Sequence, residues 1–304
     1  MASLVRTNAR NLGSLGPIGP IGYGQWRYTA ESTSDDLAAA QALLEAALDA
    51  GMNLIDTADV YGLDWGGNGF GSVEERLGRV LAAAPGLRER MVLATKGGIL
   101  PPVPYDSSPS RLRDACEDSL RRLGVETIDL YQIHRPDLYA HPAEVAATLT
   151  ELRDAGKIRE VGVSNHTTAQ VAALQAHLPF PIVTNQPEYS AVHLAPMRDG
   201  TFDQCMELGI VPLAWSPLAG GALATGEGVR PELLTVVDDL AEREGCDRAT
   251  IALAFVLAHP AAPVAIIGTQ NADRIHGSLD ALRVQLDRSD VYTIVQASEG
   301  VPLP

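Results

Sequence analysis

The fold class that this sequence predicts is α/β: a single (β/α)8 TIM barrel with an extra C-terminal helix. Three observations lead there. Short apolar runs alternate with amphipathic helical stretches along the whole chain, which implies a parallel sheet with helices outside it. Eight strand candidates fit into 304 residues with no linker-like interruption, and that count favours a closed barrel over an open doubly wound sheet. No GxGxxG follows the first strand and opens a helix, so a Rossmann dinucleotide site is not expected. The expected domain runs over residues 1–304 as one unit.

The elements follow in order. "PIGPIGYG" (17–24) is a short apolar run ending in glycine. A helix follows, with Ser34 as its cap, Asp35 and Asp36 in its first turn, and Leu37, Leu44 and Leu48 on one face. Gly51 ends it in the left-handed conformation. "NLIDTA" (53–58), a helix near 74–84 and "MVLATK" (91–96) come next. Ser108 caps and Pro109 opens a helix with Leu112, Cys116, Leu120 and Leu123 on one face, closed by Gly124. Then follow "IDLYQIH" (128–134), a helix at 142–155, "REVGVSN" (159–165) and a helix near 167–176. "PIVTNQ" (181–186), a helix near 200–208 and "GIVPLAWSP" (209–217) continue the alternation. Helices at 231–243 and 248–258 precede "VAIIGT" (264–269), and helices at 271–283 and near 288–298 complete the chain.

Composition narrows the function. The formal net charge is −15, and no run of Lys and Arg exceeds a helix face such as Arg121-Arg122. That balance favours neither nucleic acid nor an anionic membrane as a partner. Cys116, Cys205 and Cys246 are an odd number without CxxC spacing, which argues against a disulfide framework or zinc site and fits a reducing cytoplasm. No apolar stretch reaches membrane-spanning length, and "MASLVRTNAR" lacks an apolar core. No metal-ligand cluster is visible in the sequence.

In a barrel of this kind the active site forms at the C-terminal ends of the strands. The polar residues there are Asp56 with Tyr61 just beyond, Lys96, His134, Ser164-Asn165, Asn185-Gln186 and Trp215-Ser216. Closure of the barrel would bring Asp, Tyr, Lys and His onto one rim, and that set makes chemical sense. A phenol with a reference pKa of about 10 is a poor proton donor near neutrality. A nearby ammonium lowers that value, and a carboxylate keeps the ammonium charged and oriented. Such a set moves a proton on and off a carbonyl or alcohol oxygen. Asp59 is expected to be a solvated loop carboxylate. Ser164-Asn165 also suits a strand-to-helix cap, with one residue capping and its neighbour binding.

"GMNLIDTADVYG", "LATKGG", "SLRRLGVETIDLYQIH", "VGVSNH", "TNQPEYS", "LAWSPLAGG" and "AIIGTQNADRI" resemble, in order and spacing, the aldo-keto reductases over roughly residues 17–285. The resemblance implies the same barrel. It also implies an oxidoreductase that reduces an aldehyde or ketone to an alcohol, reversibly, with Asp56, Tyr61, Lys96 and His134 as the catalytic four and Tyr61 as general acid/base. The implied cofactor is NADP(H), with NAD(H) as the alternative. Ser164, Asn165 and Gln186 match residues that bind the carboxamide, and Trp215 matches the position that stacks on nicotinamide. Ser216, Leu218 and Gly220 match the pyrophosphate loop. Gly24, Gln25 and Trp26 match the first-strand segment beside the nicotinamide, with Trp26 toward the substrate. Gly268, Thr269, Gln270 and Arg274 match the segment that takes the 2′-phosphate and adenine.

Three departures stand out. Gly268 replaces a frequent Lys, so the 2′-phosphate would rest on Arg274, Thr269 and Gln270. Gly277-Ser278 replaces a frequent Glu-Asn that grips adenine. The loop between Tyr61 and Glu74 is longer than usual, and Glu74 itself matches the family's loop glutamate. Trp26, Trp65, Phe70 and Tyr105 suggest an apolar-walled pocket for aromatic or sugar-like compounds, the expected partner being a small carbonyl or alcohol substrate. A cofactor-binding regulatory or redox-sensing barrel subunit with little turnover is the alternative reading. Oligomeric state is not legible in an evenly acidic surface.

Overall fold

The computed structural model describes residues 3–29, 36–64 and 66–303. A two-residue hairpin opens it: β1 (Arg10–Asn11) pairs antiparallel with β2 (Pro17–Ile18). Eight parallel strands then close into a barrel. They are β3 (Ile21–Gly24), β4 (Leu54–Asp56), β5 (Val92–Gly97), β6 (Ile128–Ile133), β7 (Ile158–Ser164), β8 (Thr184–Gln186), β9 (Val211–Ala214) and β10 (Val264–Ile267). Each pairs with its neighbours in chain order, and β10 closes against β3. The expected first strand therefore divides: its start forms the hairpin, and only its end enters the barrel.

Nearly every barrel-strand residue is buried, as expected for a parallel sheet covered on both faces. One apolar cluster fills the interior, where Leu12 and Ile18 of the hairpin pack with Leu54, Leu130, Leu213 and Val264. The larger cluster lies between sheet and helices. The hairpin thus stoppers the N-terminal end of the barrel. The backbone N–H of Ser14 donates to Glu160 Oε1 at 2.7 Å and helps fix it there.

The helices are α1 (Leu37–Asp49), α2 (Ser72–Ala83), α3 (Pro109–Leu123), α4 (Pro142–Asp154), α5 (Thr168–Gln175), α6 (Thr201–Leu208), α7 (Ala222–Thr225), α8 (Pro231–Glu244), α9 (Arg248–Leu257), α10 (Ala272–Gly277) and α11 (Arg288–Glu299). On α3, Leu112, Cys116, Leu120 and Leu123 are buried as their spacing requires. Asp36 caps α1 by accepting from the Ala38 N–H, rather than lying in its first turn, while Ser34 and Asp35 fall outside the described residues. Gly51 follows α1 with φ +79°. Ser108 holds the N-cap position of α3 without a side-chain capping hydrogen bond. The helix expected at 271–283 is α10 followed by a 3-10 turn over Ser278–Leu282.

Gly78 sits inside α2, where a Cβ would lie 2.1 Å from the Arg122 carbonyl oxygen. Only a glycine lets α2 and the end of α3 approach so closely. Gly78→Ala is therefore expected to destabilise by about 1–3 kcal/mol through overpacking, although alanine is the better helix former. Urea unfolding of the two proteins checks this, and equal or higher stability of the variant would mean the helices can separate freely.

Candidate active site

The register of the barrel sets the site. Gly24 lies opposite Asp56, Asp56 opposite Ala94, Lys96 opposite Gln132, and Ser164 opposite Gln186. These pairings gather the strand ends from β3 to β8 on one rim.

Lys96 is fully buried and has three acceptors for its three protons. Its Nζ lies 2.7 Å from Asp56 Oδ2, 2.9 Å from the Thr57 carbonyl and 3.2 Å from the Tyr61 hydroxyl. Asp56 is held from its other side, because Oδ1 accepts from Gln186 Nε2 at 3.0 Å and from Gln132 Nε2 at 3.3 Å. Gln132 is itself fixed by the Thr184 hydroxyl at 3.1 Å. Burial opposes the Lys96 charge, but Asp56 and Tyr61 outweigh it and hold the ammonium above its ordinary pKa. An ammonium can only donate, so the Tyr61 oxygen accepts from Lys96 and keeps its own proton for the cavity.

Tyr61 stands above its ordinary pKa, first because of burial, with Lys96 pulling down and Asp56 pushing up. The sequence predicts a phenol lowered by Lys96. That pull is present, but burial is the larger effect, and Tyr61 holds its proton at neutral pH. His134 lies against it, with ring centroids 5.8 Å apart and planes at 79°. Burial, and then the charges of Lys96 and Arg135, take His134 well below its ordinary value. It is a neutral imidazole there, and its buried Nδ1 has no hydrogen-bond partner among the described residues.

A cavity of about 1580 Å³ opens above these residues. Every expected site residue lines it except Gln25 and Lys96. Lys96 lies behind Tyr61. Gln25 is wholly buried, and neither side-chain amide atom has a hydrogen-bond partner among the described residues. Asn165 is bound on both sides: its Nδ2 donates to Ser164 Oγ at 2.7 Å, and its Oδ1 accepts from Trp215 Nε1 at 3.0 Å. Neither Ser164 nor Asn165 caps the next helix, because Thr167 does so in a capping box with Gln170. After Trp215, the backbone is left-handed at Ser216, Ala219, Gly220 and Gly221. Such turns present successive N–H groups to an anion. The Tyr23 hydroxyl and Gln270 Oε1 are 3.3 Å apart. Arg274 is exposed at the cavity wall, and Asp280 pairs with Arg283 instead of with it.

Asp59 is the clear correction. It is 2% exposed, not solvated. Its N–H donates to the Lys96 carbonyl at 3.0 Å, so the strand end folds it inward. Burial and the neighbouring Glu74 raise its pKa well above the usual carboxylate range. Glu74 is also fully buried, accepting from Thr95 Oγ1 at 2.6 Å and from Arg122 Nε at 2.7 Å. Arg122 also stacks against Phe70, so Phe70 packs under the long loop and does not line the cavity. Tyr105 does not line it either, and Trp65 lies outside the described residues. Sequence reasoning missed Arg135, which lines the cavity directly after His134, and the Glu244, Cys246 and Asp247 segment at its far end. The latter reads as a plain helix connection, with no sequence signal to mark it.

The aldo/keto reductase family model matches residues 20–299. The chain belongs to the aldo/keto reductase family. A 6-dehydroglucose reductase of Novosphingobium aromaticivorans is 49% identical over 93% of this chain and 92% of its own length. Among solved structures, the glycerol dehydrogenase from Gluconobacter oxydans superposes with a TM-score of 0.83 at 29% identity, covering 98% of this chain and 97% of its own. An aldo/keto reductase from Klebsiella pneumoniae, crystallised with NADP and acetate, has a TM-score of 0.78 at 26% identity, with coverage of 98% and 97%. The protein is an oxidoreductase of this family.

Replacing Asp56 by Asn removes the charge that Lys96 faces and keeps the shape. Breaking a buried pair in this way costs about 3–5 kcal/mol. Asp56→Asn is expected to unfold at correspondingly lower urea. The raised Lys96 value means that the pair's contribution is complete below pH 10.5, the ordinary lysine value, and fades as pH rises through the folded one. The gap between the two proteins should therefore narrow only in strong alkali. A variant as stable as wild type at pH 7 would mean that Lys96 is not charged in the folded protein.

Proposed function

We propose that the protein is an NADP(H)-dependent reductase that converts an aldehyde or ketone to an alcohol, reversibly, with Tyr61 as general acid/base. The observation that carries this is the Tyr61 hydroxyl, held by Lys96 at 3.2 Å on one side and open to the cavity on the other. The donor set suits a nicotinamide dinucleotide. Asn165 and Gln186 offer amides beside the Trp215 ring, the left-handed turns at 216–221 suit a pyrophosphate, and the Arg274 guanidinium suits a phosphate. When bound, that cofactor supplies hydride to the carbonyl carbon.

The residues then divide the work. The neutral His134 imidazole orients the substrate oxygen by donating a hydrogen bond. Tyr61 gives its proton to that oxygen as negative charge develops there. Lys96 steadies the resulting phenolate, and Asp56 keeps Lys96 charged. In the alcohol-oxidising direction the same phenolate takes the proton back. The relative in Novosphingobium aromaticivorans reduces 6-dehydroglucose, as its name states, and the similarity supports a sugar-derived aldehyde as the substrate class here.

Loss of NADPH absorbance on mixing with sugar-derived aldehydes tests this reading, and no turnover with any carbonyl compound would favour a regulatory subunit instead. Tyr61→Phe is expected to lower kcat by about 10²–10⁴-fold, the usual worth of a positioned general acid, while NADPH binding changes little. A near-normal kcat would remove Tyr61 from the role.

Cofactor choice gives a separate test. Arg274→Ala should weaken NADP binding by about 1.5–3 kcal/mol, the worth of a hydrogen bond to a charged group, and spare NAD. Titrations following Trp fluorescence quenching measure both. Equal losses for the two cofactors would move the 2′-phosphate contact elsewhere.

A further inference from the structure

Arg135 is anomalous in its surroundings. The chain has 38 Asp and Glu against 23 Lys and Arg, and many of its arginines pair with carboxylates, as Arg122 does with Glu74 and Arg243 with Asp290. Arg135 is half-buried in the cavity wall. Yet among the described residues no carboxylate or carbonyl oxygen accepts from its guanidinium. Its guanidinium carbon lies 5.7 Å from the centre of the Trp215 ring, a cation–π contact. A guanidinium that is partly desolvated without acceptors is costly, and an aromatic face offsets only part of that cost.

Its location says what the missing acceptor must be. Arg135 follows His134 at the end of β6, and its charge is close enough to lower the pKa of both Tyr61 and His134. The guanidinium also lines the same cavity as Tyr61 and His134 and lies against Trp215, so it shares the space in which a substrate carbonyl would meet Tyr61. In the reductase reading, the acceptors it lacks would come from substrate oxygens beyond the reacting carbonyl.

We propose that Arg135 is a specificity residue that binds hydroxyl oxygens adjacent to the reacting carbonyl, so that the site selects hydroxylated aldehydes over plain alkyl ones. This rests on the reductase reading above. A planar fork of N–H donors matches the two oxygens of a vicinal diol. A carboxylate would match it too, but Asp64, Asp273 and Asp280 line the same cavity, and the chain's overall charge of −15 opposes a second anion beside a dinucleotide. Hydroxyl oxygens satisfy the guanidinium without that conflict.

The test compares glyceraldehyde, propanal and glyoxylate as substrates with NADPH, in wild type, Arg135→Leu and Arg135→Lys. Propanal has the carbon skeleton of glyceraldehyde without its hydroxyls, and glyoxylate carries a carboxylate in their place. The measured quantity is the ratio of kcat/KM between substrates. Any general effect of Arg135 on Tyr61 cancels in that ratio. Wild type should prefer glyceraldehyde, and Arg135→Leu should lower the glyceraldehyde-to-propanal ratio about tenfold or more, mainly through KM. Arg135→Lys should fall between, since a point charge keeps donors but loses the fork.

An unchanged ratio overturns the proposal, and so does a larger loss for glyoxylate than for glyceraldehyde, which would make the site an anion reader. Loss of NADPH affinity in Arg135→Leu as large as the loss in the ratio would reassign the residue to the cofactor. Wild type that turns over none of the three defeats the reductase reading and this one with it. Wild type that reduces propanal as well as glyceraldehyde defeats this one alone.

Discussion

One buried ion pair organises the site. Lys96 and Asp56 sit almost without solvent exposure at the ends of adjacent strands. A buried charge survives only if it is both paired and hydrogen-bonded, and here each partner is. Satisfying the pair requires Gln132, Gln186, Thr184 and the Thr57 carbonyl, drawn from β6, β8 and the end of β4. The pair thus fixes how β4, β5, β6 and β8 sit relative to one another at the rim. Tyr61 then inherits its position from Lys96, because the third ammonium proton has nowhere else to go. The position of Tyr61 and the alignment of these strand ends rest on the same set of hydrogen bonds.

The remaining architecture serves to bring those strand ends together and shield them from below. The hairpin packs Leu12 and Ile18 into the interior apolar cluster. That leaves the polar residues concentrated at the C-terminal rim. Arg122 reaches from α3 to Glu74 at the start of α2 and to Phe70 in the long loop. The loop that follows Tyr61 is anchored by this buried contact, not by the cavity it borders.

Much of this could be read from the chain. The helix at 109–123 was legible because four apolar residues, a proline and a closing glycine all agree on it. The barrel itself was legible from the alternation, and the order of the rim residues from the strand ends. The short hairpin was not, because two-residue strands leave no periodicity to detect. Asp59 was misread because its burial comes from a backbone hydrogen bond to Lys96, a contact between strands that no local pattern encodes. Ser164-Asn165 looked like a cap, but the capping box lies three residues later at Thr167-Gln170. Arg135 was invisible for a different reason: a lone arginine after a strand is ordinary until the fold shows that no oxygen among the described residues accepts from it.

Asp59 has a further consequence, electrical rather than mechanical. With its carboxyl pushed toward the neutral form, the charges beneath the cavity cancel in two couples, Asp56 with Lys96 and Glu74 with Arg122. Arg135 adds a positive charge above them. Ions screen the acidic exterior over about 8–10 Å. A guest beside Tyr61 therefore meets paired charges below it and Arg135 in the same cavity, although carboxylates such as Asp64 and Asp273, unpaired among the described residues, line other parts of that cavity. An acidic protein can in this way keep the floor of its cavity free of net charge while its exterior stays strongly negative.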